Sequence, residues 1–131
     1  MNRRFFFGAS AAFVLAPFSF SSEKKENRKK KMRVTAYCPC DKCCGKYGWG
    51  YTTASGYRIN KKHDILVAAD RKIPFGTKLI IPGYNKSRIV EVKDRGGAIK
   101  GDKLDVYFPT HQEALNWGVK NLEITFIGEE K

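Results

Sequence analysis

Val90-Glu91-Val92-Lys93-Asp94-Arg95-Gly96-Gly97-Ala98-Ile99-Lys100-Gly101-Asp102-Lys103-Leu104-Asp105-Val106-Tyr107-Phe108 is the stretch on which the fold turns. Val90 and Val92 alternate with charged neighbours, the pattern of a half-buried strand. Leu104, Val106 and Phe108 alternate in the same way. Between the two runs, Gly96, Gly97 and Gly101 admit backbone angles that other residues resist. The expected layout is strand, tight glycine loop, strand, in the manner of a hairpin. It sets Asp94 at the end of one strand and Asp105 within the next. Two carboxylates held close by a rigid turn are raw material for acid/base chemistry on a sugar; aspartates that merely cap turns are the plainer reading.

Outward from this stretch, short apolar runs recur. Met32 to Tyr37, Ile65 to Ala69, Lys78 to Ile81 and Leu122 to Ile127 read as further strands, with Ile73-Pro74-Phe75-Gly76 as a turn. Thr110 to Trp117 is the one good helix. Thr110 stands at its N-cap with Glu113 at capping-box spacing, and Gly118 ends it. Many short strands with one short helix predict a small all-β barrel.

The chain has 131 residues, 25 Lys plus Arg and 13 Asp plus Glu, for a net charge of +12. One domain is expected at this length. Residues 1–31 and the remainder each contribute +6. The basic balance suits an anionic partner, and alone does not choose among wall polymer, nucleic acid and membrane surface. An acidic groove argues against nucleic acid, which calls for basic residues interleaved with exposed aromatics.

Residues 1–22 read as an export signal or an N-terminal anchor. Met1-Asn2-Arg3-Arg4 is basic, and an apolar run from Phe5 to Phe20 follows. Residues 23–31 form a charge run read as a solvated linker, so the folded domain is expected over 32–131. The protein is placed outside the cytoplasm, in the cell envelope, periplasm or extracellular space, whether the leader is cleaved or keeps it on the membrane.

Cys38, Cys40, Cys43 and Cys44 are the only cysteines. In an exported protein they point first to disulfides that pin a loop. Cys40-Asp41-Lys42-Cys43 also has the spacing of half a zinc site or of a redox pair, with His63 as a further donor. His63 and His111 otherwise read as surface or cap residues. No metal site is assigned with certainty and no cofactor is expected.

Val34-Thr35-Ala36-Tyr37-Cys38, Thr53-Ala54-Ser55-Gly56, Val67-Ala68-Ala69-Asp70, Ile73-Pro74-Phe75-Gly76-Thr77, Asp94-Arg95-Gly96-Gly97-Ala98-Ile99-Lys100-Gly101 and Leu104-Asp105-Val106-Tyr107-Phe108, in that order, resemble the 3D domain, named for three aspartates. The same domain forms the catalytic half of membrane-bound lytic transglycosylase A and occurs in stationary-phase survival and resuscitation-type wall proteins. The likeness runs from about Val34 to Ile127. It implies a six-stranded double-psi β-barrel of the RlpA/expansin-like type. It also implies cleavage of the MurNAc–GlcNAc bond of peptidoglycan glycan strands with a 1,6-anhydro product. The other activity it leaves open is a non-catalytic glycan-binding or wall-loosening module. By motif, Asp105 is the expected acid/base, and Asp94 and Asp70 are the other two aspartates. Thr53, Tyr37, Gly96, Gly97 and Lys100 are the expected substrate contacts. Arg95 stands where many members carry threonine, and the cysteine-rich insert occurs in only part of the family. A monomer is expected.

Overall fold

A computed structural model describes residues 27–40, 52–60 and 64–128. Six strands and one α-helix follow in order: β1 (Arg28–Tyr37), β2 (Val67–Ala69), β3 (Lys78–Ile80), β4 (Ile89–Asp94), β5 (Lys103–Tyr107), α1 (His111–Trp117) and β6 (Lys120–Phe126). The strands close into a barrel in the order β1-β5-β2-β4-β3-β6. This is the six-stranded double-psi β-barrel expected from the sequence.

The hairpin expected over 90–108 does not form. β4 and β5 never pair with each other; β2 lies between them, parallel to β4 and antiparallel to β5. The glycine-rich connection therefore crosses the end of β2. Alternation tells which face of a strand is buried but not which strand lies beside it, so the sequence pattern fits both layouts. β5 in the same way lies between β1 and β2, parallel to β1 and antiparallel to β2. Exchanging β1 with β4, β2 with β5 and β3 with β6 reproduces every pairing, so the barrel has an internal two-fold pattern.

β1 begins at Arg28, inside the charge run read as linker, and runs antiparallel to β6 from Arg28 opposite Phe126 to Val34 opposite Lys120. The first four side chains are exposed. Strand pairing uses backbone groups, so a solvated row of cations joins a sheet when its partner offers acids and an aromatic face. Lys29 meets Glu123 at 3.9 Å, Lys30 meets Asp102 at 2.6 Å and the Arg28 guanidinium lies over Phe126. β1 thus begins four residues before the expected Met32. Residues 1–22, expected as an export signal or N-terminal anchor, lie outside the described residues; among the described residues no helix is long and apolar enough to cross a membrane.

Inward-facing residues form one core of Met32, Val34, Val67, Ala69, Leu79, Val90, Val92, Leu104, Val106, Ile124 and Phe126. α1 closes one part of it. Thr110 caps the helix by accepting from the Glu113 N–H, and its hydroxyl donates to the Glu113 carboxylate. Gly118 ends it at φ 68°. Trp117 is buried against Tyr84 and Phe108 and donates from Nε1 to the Val34 carbonyl.

Candidate functional site

Four side chains lie in one row across four adjacent strands. Thr35 pairs with Asp105, Asp105 with Ala68, and Ala68 with Asp94. Their neighbours Val34, Leu104, Val67 and Val92 belong to the core, so the row lies on the outer face. A register shift between Val67 and Ala68 produces it: Val67 faces Val92, but Ala68 faces Asp94 rather than Lys93. The bulge turns Asp94 to the face that carries Asp105. The two acids stand two strand spacings apart, about 10 Å between backbones, with only the methyl of Ala68 between them.

Asp94 is a hub. It accepts from the Tyr37 hydroxyl at 2.9 Å, from the Ala54 N–H at 2.9 Å and from the Arg95 N–H at 2.8 Å. The Ser55 hydroxyl also donates to the Lys93 carbonyl. These contacts dock the turn at 53–57 onto the end of β4. Thr53, expected as a substrate contact, is only 5% exposed. Its hydroxyl meets Ser55 Oγ and accepts from the Tyr57 N–H, so it shapes the turn instead of facing solvent.

Asp105 is the perturbed acid. Its pKa is raised from 3.8 to about 6, first by burial and secondarily by the charge of Asp94, against the lowering effect of a hydrogen bond from Thr35. Thr35 Oγ1 stands 3.0 Å from Asp105 Oδ1 and 3.3 Å from the Leu104 carbonyl. Having one proton, it serves one acceptor at a time. Tyr37 is pushed far above the usual phenol range by burial and then by Asp94, so it stays a neutral donor. Tyr107 is fully buried and meets Tyr37 edge-on.

Asp70 sits apart, just past β2. It accepts from the Lys72 N–H at 2.9 Å and from the Gly101 N–H, and these two bonds hold its carboxyl below the usual range. It thereby staples the crossing connection to the strand it crosses. Asp70, Arg71, Arg95, Gly96, Gly97 and Lys100 line a concavity of about 480 Å³. The charge of Arg95 adds to the lowering at Asp70. Its guanidinium donates to the Ala69, Ile73 and Asp94 carbonyls and covers the Phe75 ring. The expected site residues therefore fall into two groups: Asp105, Asp94, Tyr37 and the Thr53 turn on the outer row, and Asp70, Gly96, Gly97 and Lys100 around the concavity.

Sequence reasoning missed Thr35 as a site residue, although it stands inside a motif already singled out. It also missed His111. The His111 Nδ1 lies 3.6 Å from Cys38 Sγ and 3.5 Å from Cys40 Sγ. The two sulfurs are 2.7 Å apart, and no disulfide joins these two. Cys43, Cys44, Trp49 and His63 lie outside the described residues.

Residues 65–128 match the family described as the 3D domain. The chain carries a 3D domain. It is 35% identical over 109 residues to the cell wall-binding protein YocH of Bacillus subtilis, covering 82% of this chain and 36% of that protein. The chain thus spans about a third of that curated relative. Among solved structures, the expansin of Clavibacter michiganensis aligns with a TM-score of 0.52 at 16% identity, over 79% of this chain and 52% of that one, and so shares the fold. The lytic transglycosylase MltA of Escherichia coli aligns at 26% identity with a TM-score of 0.45, over 57% of this chain and 26% of that one.

Proposed function

We propose that this 3D domain is a peptidoglycan lytic transglycosylase of the cell envelope, with Asp105 as its single acid/base. The observation that carries the reading is a half-buried carboxyl with a pKa of about 6 and, across Ala68 from it, a second carboxyl already committed to three donors. Hydrolysing glycosidases use two working carboxylates. Here one is poised and the other acts only as an acceptor.

One carboxyl suffices when the nucleophile belongs to the substrate. Protonated Asp105 donates to the glycosidic oxygen as the bond from C1 of MurNAc breaks. The resulting carboxylate takes the proton of the same sugar's C6 hydroxyl as O6 bonds to C1. Asp105 ends protonated, the GlcNAc leaves with its new hydroxyl, and the anhydro ring closes without water. Holding O6 near C1 replaces activation of an external nucleophile. Asp94 supplies negative potential for the developing oxocarbenium ion. Lys100 and Arg71 at the concavity suit the carboxylates carried by peptidoglycan peptides.

A second reading, glycan binding or wall loosening without cleavage, is favoured by the likeness to a protein named for wall binding. One experiment separates them. Purified protein is incubated with peptidoglycan and the products are read by mass spectrometry, with and without EDTA. Anhydro-muropeptides, lost in Asp105→Asn while sacculus binding persists, are the expected result. Products with a reducing end would replace transglycosylation with hydrolysis. Retention on sacculi with no product would leave the binding module.

A further inference from the structure

Cys38, Cys40 and His111 lie on elements far apart in sequence and are brought together by the fold. Cys38 follows the last residue of β1 and is fully buried, while His111 is the first residue of α1. We infer that these three side chains are ligands of a structural zinc site that fastens the end of β1 to the start of α1.

The nitrogen–sulfur distances fit the ion. A tetrahedral zinc with bonds of about 2.3 Å to sulfur and about 2.05 Å to nitrogen holds sulfur and nitrogen about 3.5 Å apart. The observed separations from Nδ1 are 3.5 and 3.6 Å. All three donor atoms lie within 4.8 Å of one another. The two sulfurs, at 2.7 Å, are too far apart for a disulfide and open by about 1 Å to reach the sulfur–sulfur edge of such a site, about 3.8 Å. Two thiolates and an imidazole form a soft donor set that suits zinc over calcium or magnesium. Tetrahedral zinc has one further coordination position beyond these three donors.

The consequence reaches the outer row. Tyr37 directly precedes Cys38 and donates to Asp94. A metal that fixes Cys38 to α1 therefore fixes the strand end from which Tyr37 reaches its acceptor. The site stabilises; it takes no part in the proton transfers of Asp105, and its test is independent of activity.

The test uses the full chain purified under reducing conditions. Metal content is measured by plasma mass spectrometry, and the protein is then reloaded with cobalt(II). The expected result is one equivalent of zinc, a thiolate-to-cobalt charge-transfer band strong enough for at least two thiolates, and tetrahedral ligand-field absorption. Cys40→Ser and His111→Gln should each weaken zinc binding beyond the roughly 10- to 100-fold that altering a ligand's outer partner costs. Gln112→Ala, whose side chain bonds only to Asn116 among the described contacts, should bind as the parent does. Circular dichroism of each variant separates lost binding from lost folding, and the cobalt spectrum of the parent stands even if a variant fails to fold. A reduced parent that takes up neither zinc nor cobalt overturns the site. So does a folded His111→Gln protein with unchanged affinity and spectrum.

Discussion

Asp105 is half protonated near pH 6, which makes it an acid at the low end of the working range and a carboxylate at the high end. If it must enter the reaction protonated, kcat/KM should fall about tenfold per pH unit well above 6. Thr35 tunes that limb. Its hydrogen bond favours the charged form, so its removal raises the pKa of Asp105. Thr35→Val should move the alkaline limb to higher pH, and Asp94→Asn, which removes a like charge, should move it to lower pH. Measured pH profiles of the three proteins check both signs. A limb that stays in place in both variants would assign it to another group.

At the scale of elements, the crossing connection from β4 to β5 carries its own test. Gly101 adopts φ 69° and donates its N–H to Asp70. Gly96 is needed for room instead: a Cβ there would stand 2.8 Å from Ile99 Cγ1. Gly96→Ala should displace Ile99 from beneath the connection, and Asp70→Asn should remove the charge from both of its amide contacts. In each variant the Gly101 amide should exchange with deuterium faster while the β1 amides keep their protection; unchanged exchange in Asp70→Asn would show that the staple does not hold the connection. The strands themselves were readable, because alternating apolar residues report a buried face directly. Thr110, Glu113 and Gly118 marked the ends of α1 for equally local reasons. The insertion of β2 between β4 and β5 was not readable, since pairing between distant segments leaves no mark on either one alone. The start of β1 at Arg28 was hidden for a related reason: its lysines look like a linker until Glu123 and Asp102 stand beside them.

For the whole molecule, the buried acid has a stability cost with a definite sign. The pKa of Asp105 is about 3.8 when the chain is unfolded and about 6 when folded. Its contribution is therefore fully present below pH 3.8, declines between the two values and is lost as pH rises through 6. The resulting deficit at pH 7.5 is at most about 3 kcal/mol. Asp105→Asn keeps the shape and an acceptor for Thr35 but has no charge to bury. It should melt at a higher temperature than the parent at pH 7.5 and at the same temperature at pH 3.5. Equal melting at both values would mean that water reaches the carboxyl freely. The candidate site was legible to the extent that its aspartates stand in recognisable motifs. Its division of labour was not: Asp94 as a hub depends on a bulge, Asp70 as a staple depends on the crossing, and His111 lies 73 residues from Cys38 in the chain.

The two-fold pattern of the barrel has a bearing on descent. Exchanging its halves carries Thr35 onto Asp94 and Asp105 onto Ala68, so the outer row maps onto itself in reverse. A frame built by doubling one β-β-β unit begins with two equivalent central positions. In this chain one is an acid and its twin a methyl group. The asymmetry of the outer row therefore lies in its side chains and not in the frame that carries them.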